Sequence, residues 1–147
     1  MSKLVIEVAR LPEDWDAIEQ IRRQVFVEEQ GIDPELDFDG WDAGSQHLLA
    51  RWQGKPVGTM RLRHVELTVK IERLAVLPGF RRLGIARKLM QVGLAVLNDR
   101  GIDVVQVHAQ NYVQALYHQL GFEPEGEEFE EAGILHVKMK KQLRSQT

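Results

Sequence analysis

The stretch LAVLPGFRRLGIARKLM, residues 74–90, decides how this chain folds. Its first three residues end a β-branched run, TVKIERLAV at 68–76, that reads as a strand. Leu77-Pro78-Gly79 breaks that strand. Ala86, Leu89, Met90, Gly93, Val96 and Leu97 then keep a helical period to about Asn98. Between strand and helix stand two arginines and Gly84. A helix start exposes unpaired N–H groups and the positive end of the peptide dipoles, so an anion is favoured there. Gly84 removes a side chain where a bulky phosphate would approach the backbone. Arg81, Arg82, Arg87 and Lys88 add positive charge that is expected to be mobile. The strand delivers this turn to the end of a sheet, where open α/β folds bind ligands. The segment therefore has the makings of a pyrophosphate cradle.

The kind of cradle is narrowed by what is missing. Gly79 and Gly84 have the spacing of the two P-loop glycines, but Ile85 and Ala86 stand where that motif needs Lys and Ser/Thr. A G-x-G-x-x-G fingerprint is also absent. A nucleoside triphosphatase and a dinucleotide-binding dehydrogenase are both disfavoured.

Outward from this segment the elements alternate. KLVIEVA at 3–9 reads as a strand. Pro12 and the acidic Glu13, Asp14 and Asp16 suit a first helical turn, and Trp15, Ile18, Ile21 or Arg22, and Val25 carry a helical stripe to about Glu29. Residues 31–45, with five acidic side chains, read as a long loop. QHLLARWQ and KPVGTMRLRHVEL flank Gly54 as a hairpin. After the central helix, DVVQVHA is a strand, Asn111 caps a helix of Val113, Leu116, Tyr117 and Leu120, and Gly121 stops it. FEPEGEEF and GILHVKMKK close the chain as two strands. The expected fold is a single domain over residues 1–147, mixed α/β (α+β). It has a mostly antiparallel twisted sheet of about six to seven strands and helices on both faces. One right-handed parallel crossover runs from residue 68 to 108.

Composition sets the outer bounds. A net charge of −3 offers no basic field for nucleic acid. Cys is absent, which removes disulfides, thiolate metal sites and a thiol nucleophile. The five histidines show no ligand spacing, so no metal is expected. No apolar run suits a signal peptide or a membrane span, and the expectation is a cytoplasmic protein. A monomer and a homodimer are equally open.

The stretch at 74–90 resembles the acyl-CoA-binding motif of the GNAT (GCN5-related N-acetyltransferase) superfamily, Q/R-x-x-G-x-G/A, with Arg81, Gly84 and Ala86 at its fixed positions. NYVQALYHQLGF at 111–122 resembles the second signature of that family, and IRRQVFVEEQGI with HLLA is similar to its ElaA-like branch. The resemblance implies that acetyl-CoA is the cosubstrate. The N–H groups of Arg82, Leu83, Gly84, Ile85, Ala86 and Arg87 would cradle its pyrophosphate. Leu74, Ala75 and Val76 would pair with its pantetheine arm, admitted by a splay between their strand and the one at 103–108. Asn111 would hold the arm near the thioester, and Tyr117 would stand beside the sulfur.

Acyl transfer to an amine needs a neutral amine, a polarised carbonyl and a proton for the departing thiolate. None of the three serines sits in a nucleophile elbow, so direct attack in a ternary complex is the simpler route. The N–H of Val76 would stabilise the oxyanion and Tyr117 would protonate the sulfur. Packing alone would also explain Tyr117. Glu72, placed by the period of two on the face of Leu74 and Val76, is the first candidate base. It has an alternative as an ion-pair partner of Arg61, Arg63 or Arg73, and His108 is a second candidate base. Arg82 and Arg87 read equally as phosphate ligands or a solvated helix face. Glu28, Glu29, Asp33, Glu35, Asp37, Asp39 and Asp42 around Phe38 and Trp41 would attract a cationic amine, or simply keep a loop solvated. ELDFDG is not taken as a calcium loop, because Gln46 holds the place of its final Glu. The expected activity is N-acetyltransfer from acetyl-CoA to a primary amine. The alternative is an acyl-CoA-binding module that regulates a partner without catalysis.

Overall fold

A computed structural model describes residues 3–143. Eight strands form one sheet: β1 Leu4–Val8, β2 Gln46–Trp52, β3 Lys55–Val65, β4 Thr68–Val76, β5 Val104–Gln110, β6 Glu123–Pro124, β7 Phe129–Glu131 and β8 Ile134–Gln142. Their order is β1-β2-β3-β4-β5-β8-β6, with β7 also on β8. Among the described residues only β4 and β5 pair in parallel. Helix α1 (Trp15–Arg22) continues directly into a π-helical segment (Arg23–Glu29). A single turn, α2, spans Pro34–Asp37; α3 spans Ile85–Asp99 and α4 spans Gln114–Gln119.

The local chemistry explains these elements. The β2–β3 hairpin closes on Gln53 and Gly54, both at positive φ, the pairing that matches strand twist in a two-residue turn. Ile18, Ile21 and Val25 bury one stripe of α1 and the π segment against Leu49 and Ala75. On the other face of the sheet, Ile85, Leu89, Met90 and Leu97 of α3 pack with Leu48, Met60, Leu62 and Val69. Gly93 lets α3 lie close to the sheet, because a Cβ there would collide with Met60 Cε. Among the described residues no helix is long and apolar enough to cross a membrane.

Three expectations change. The stretch 31–45 is not wholly loop: Pro34 opens α2, and the Asp33 carboxylate caps it by accepting from the Glu35 N–H at 2.9 Å. The strand expected at 122–129 is two short ones, β6 and β7, separated by Gly126 at positive φ. Asn111 is no N-cap. It begins a 3₁₀ turn, Asn111–Val113, and its Oδ1 accepts from the Gln114 side chain at 2.8 Å.

Two irregularities shape the centre of the sheet. The pairing Arg61↔Glu72 is followed by Thr59↔Ala75, so Arg73 and Leu74 together oppose Met60. This is a β-bulge, with Arg73 at φ 57°. The extra residue reverses the alternation of faces. Glu72 shares the α1 side with Ala75, and does not lie with Leu74 and Val76 as strict alternation would have it. Second, the β4–β5 ladder stops at Ile71↔Val107, while β5 stays paired to β8 as far as Gln110↔His136. The two central strands diverge beyond that point.

Leu89 is fully buried at the α3–sheet contact. Leu89→Ala should lower the unfolding free energy by about 2–5 kcal/mol in urea titration, since a deleted core side chain loses transfer energy and leaves a cavity.

Candidate active site

The divergence of β4 and β5 opens a cavity of about 390 Å³. Leu74, Val76, Ala86, Val113 and Tyr117 line it from the α3 side; Phe26, Ile32, Arg63, Glu72 and His108 line it from the α1 side. The cavity therefore passes through the sheet rather than resting on one face.

At its α3 end, Gly84 adopts φ 79°, and nothing stands within 4 Å of where a Cβ would project. No side chain caps α3, and its first internal bond at this end runs from the Lys88 N–H to the Gly84 carbonyl at 3.0 Å. The N–H groups of Ile85, Ala86 and Arg87 precede that bond and are left outward by helix geometry. The Ile85 side chain is buried in the core, so only its backbone faces the turn. Arg82, at φ 65°, and Leu83 are exposed. Arg87 bonds the Gln119 side chain. Arg81 is not the mobile charge expected of it. Its two Nη atoms reach Glu29 at 2.6 and 2.7 Å, and its Nε donates to the Val76 carbonyl at 2.9 Å. It straps the turn to the end of β4 and to the π segment.

On the α1 side lies a dense ion-pair network. Arg22, fully buried, reaches Asp37 at 3.2 Å and Asp42 at 2.5 Å. Arg61, also fully buried, reaches Asp39 at 2.9 Å, Asp42 at 3.0 Å and Glu72. Arg63 and Lys70 reach Glu72 at 2.8 and 3.3 Å. Arg73 reaches Asp37 at 2.9 Å and Asp39 at 3.1 Å. Burial opposes ionisation of Glu72, but hydrogen bonds and charge from Arg63 and Arg61 prevail and hold it at about 2. A carboxylate so stabilised is a feeble base, and the bulge has turned it from the expected face. The ion-pair alternative describes Glu72, with Lys70 where Arg73 was the third suggested partner. The same network engages three of the seven carboxylates expected to attract a cation. Asp37, Asp39 and Asp42 are spent on arginines. Phe38 lies under Arg22 and Arg23 at 4.8 and 4.7 Å, and Trp41 under Arg63 at 5.4 Å.

Tyr117 is 5% exposed, with its ring 5.7 Å from Phe122. Burial pushes its phenol well above the ordinary value. Among the described residues no fully buried side-chain oxygen lacks a partner, and none bonds this hydroxyl, so the hydroxyl borders the cavity. His108 alternates with the core-facing Val107 and Ala109 and so points to the α1 side. Its Nδ1 lies 2.7 Å from Glu131 Oε2, and its ring meets Phe129 edge-on at 4.9 Å. The hydrogen bond from His108 holds the Glu131 carboxyl below the usual range. His136 lies beyond the same phenylalanine, its Nδ1 donating to the Ile134 carbonyl at 2.7 Å.

The structure brings Glu72, Leu74, Ala75, Val76, Arg81, Ala86 and Tyr117 into one cavity lining; Arg82, Leu83, Gly84, Ile85, Arg87 and Asn111 are outside that lining. Lys70, Tyr112, Glu131 and His136 also line it and escaped sequence reasoning. Lys70 had a signal, since it shares Glu72's strand face at a spacing of two. Glu131 had none, because a three-residue strand next to Gly133 declares no register.

The cleft between diverging central strands, with an uncapped glycine-led helix at its mouth, defines a class of acyltransferase fold. Residues 18–143 match the acetyltransferase (GNAT) domain family, and the chain belongs to it. It is 32% identical over 122 residues to the uncharacterized N-acetyltransferase YjcF of Bacillus subtilis (strain 168), covering 82% of this chain and 87% of that one. Among solved structures, Escherichia coli ElaA superposes with a TM-score of 0.84 at 27% identity, over 95% of this chain and 99% of that one. An acyl-CoA N-acyltransferase from Pseudomonas aeruginosa superposes with a TM-score of 0.83 at 28% identity, over 95% and 99%.

The ordinary value for Glu72 is 4.5 and the folded value is lower. Its ionised form therefore favours the folded state, fully above pH 4.5, and this contribution is lost as pH falls towards about 2. Asp37, which burial raises, acts in the opposite sense. Glu72→Gln should flatten the acid side of a melting-temperature profile over that window and lower stability at neutral pH.

Proposed function

We propose that the chain transfers an acetyl group from acetyl-CoA to a primary amine by direct attack in a ternary complex. The observation that carries this reading is that Ala86, in the uncapped first turn of α3, lines the cavity opened by the β4–β5 split. The residues fit the cosubstrate: Gly84 leaves space for a pyrophosphate over Arg82–Arg87. Beyond Ile71 the β5-facing N–H and C=O groups of β4 have no strand beside them to pair with, although the Val76 carbonyl accepts from Arg81 Nε. An amide-bearing arm would satisfy them, as a strand does. The relatives' acyltransferase names agree with the class of reaction.

When bound, the thioester supplies an activated acyl group: a C–N bond forms, the C–S bond breaks, and the thiolate takes a proton. Tyr117 holds that proton on a phenol that burial keeps neutral. His108, oriented through Nδ1 by Glu131, takes one proton from the acceptor's ammonium and so frees its lone pair for attack, in place of the ion-paired Glu72. The second proton, shed by nitrogen after C–N bond formation, replaces the one Tyr117 gives to sulfur. The His108–Glu131 pair would hold the imidazole in one tautomer, with Nε2 as the acceptor. Arg81 positions Val76 and the cradle. A cytoplasmic location and a monomeric or homodimeric state accompany this proposal.

Calorimetry with CoA tests the cradle. Gly84→Val should weaken binding at least about tenfold, since a β-branched residue is strained at positive φ and fills the anion's space. Unchanged binding by that variant overturns the assignment. With acetyl-CoA and an amine panel, Tyr117→Phe should lower kcat about 100-fold with little change in KM for acetyl-CoA, the size of a lost general acid. CoA binding without thiol release to any amine would favour the regulatory module instead.

A further inference from the structure

The α1 side of the cavity holds more hydrogen-bond donors than its carboxylates can use. Glu72 accepts through Oε2 from Arg61 and Arg63 and through Oε1 from Arg63 at 2.8 Å, with Lys70 at 3.3 Å. Asp39 spends both oxygens on Arg61 and Arg73, and takes the Trp41 N–H as well. Asp37 divides its oxygens between Arg22 and Arg73. Asp42 Oδ1 faces both Arg22 and Arg61. Five cations thus meet four carboxylates in direct contact, with Glu131 a fifth carboxylate near Lys70, and the donors left over are not spread evenly. Arg22 and Arg61 are fully buried behind the wall, whereas the cavity-lining Arg63, Lys70 and Arg73 keep 20%, 14% and 19% of their side chains exposed. Of the lining carboxylates between them, Asp37 and Glu72 keep only 2% and 5%, and Asp39, held by Arg61 and Arg73, keeps 24%. Arg63 Nη1 and Arg73 Nη1 bond no other group among the described residues, and no buried side-chain nitrogen there lacks a partner, so both are accessible. Lys70 has two ammonium protons beyond its one contact. Glu131, the remaining lining carboxylate, is engaged with His108.

We propose that Arg63, Lys70 and Arg73 form a subsite for a carboxylate on the acceptor, so that the amine acetylated is an amino acid. This rests on the acyl-transfer reading above and names the substrate class for it. A carboxylate brings acceptor oxygens to donors that have none, and two guanidinium edges with an ammonium suit its planar monoanion. A diamine would bring a second cation to a wall that already presents Arg63, Lys70 and Arg73, which is unfavourable in a partly desolvated cavity.

The test measures thiol release from acetyl-CoA with the common α-amino acids, β-alanine and γ-aminobutyrate, each against the amine left when its carboxylate is removed, with putrescine as the dication. The best amino acid should exceed its decarboxylated partner in kcat/KM by about tenfold or more, the size of one charge-assisted hydrogen bond. Lys70→Gln should reduce that ratio, mostly through KM for the amino acid, and Lys70→Arg should keep it. Independently of turnover, titrating the best amino acid into CoA-bound protein should shift the Nε–Hε resonances of Arg63 and Arg73, and the decarboxylated amine should not. Equal or better use of the decarboxylated or dicationic amines overturns the proposal, as does failure to acetylate any amino acid. In either case CoA binding and its loss in Gly84→Val would leave the acyl-transfer reading standing. Absence of CoA binding would instead strike that reading directly.

Discussion

The parting of β4 from β5 is the constraint on which the rest of the molecule depends. Parallel neighbours in a buried sheet ordinarily pair along their length, because an unpaired buried peptide group costs about 1–3 kcal/mol. Here the ladder is abandoned after Ile71↔Val107. Each strand tolerates this because its other edge is secured: β4 to β3 as far as Val76, and β5 to β8 as far as Gln110. Arg81 engages the Val76 carbonyl at the very end of β4 and ties that end to Glu29. The sheet is thus continuous for packing and discontinuous for hydrogen bonding, and the discontinuity is where a ligand's own amides would find partners.

The bulge at Arg73 and Leu74 acts on the same place by another route. Without it, Glu72 would point with Val76 towards α3 and Tyr117. With it, Glu72 joins the arginines on the α1 side. Arg73 itself bonds the Leu36 and Asp37 carbonyls, so the bulge is anchored to α2. The one-residue insertion therefore links the backbone of the cleft to the loop that walls it. A buried ion-pair network of this density is weak grounds for high stability, since desolvation consumes much of the attraction. What it does supply is a fixed position for residues 37–42, which carry little apolar packing of their own.

Much of this was legible in the sequence, and the exceptions share a cause. The strand–turn–helix at 74–90, the hairpin about Gly54 and the crossover to β5 follow from periodicity and punctuation, which are local. The splay between the central strands was inferred from resemblance and is visible as a truncated ladder. The bulge was not legible. Arg73 is an unremarkable strand residue, and its positive φ is imposed by tertiary contacts rather than by a glycine. The alternation rule therefore failed at Glu72 for a reason no local pattern carries. The acidic loop failed in a related way: its carboxylates were visible, but their partners Arg22, Arg61 and Arg73 come from three different elements. His108 and Glu131 meet only because β8 joins β5 on one edge and β7 on the other.

These misreadings bear on how such a site assigns roles to its carboxylates. A carboxylate surrounded by guanidinium groups is electrostatically silent as a base and structurally decisive as a clamp; Glu72 is of this kind. One that meets a single imidazole at a cavity wall is free to orient that ring; Glu131 is of this kind. Both are acidic residues lining the same cleft, and neither composition nor spacing separates them. What separates them is the number and type of donors that the fold brings to each. Three basic groups on β3 and β4 surround one oxygen pair in the first case, and a histidine on β5 meets one oxygen in the second. In the proposed reaction, proton transfer accordingly falls to the sparsely bonded pair, while the crowded one, by saturating its own oxygens, leaves arginine and lysine N–H groups turned towards the acceptor.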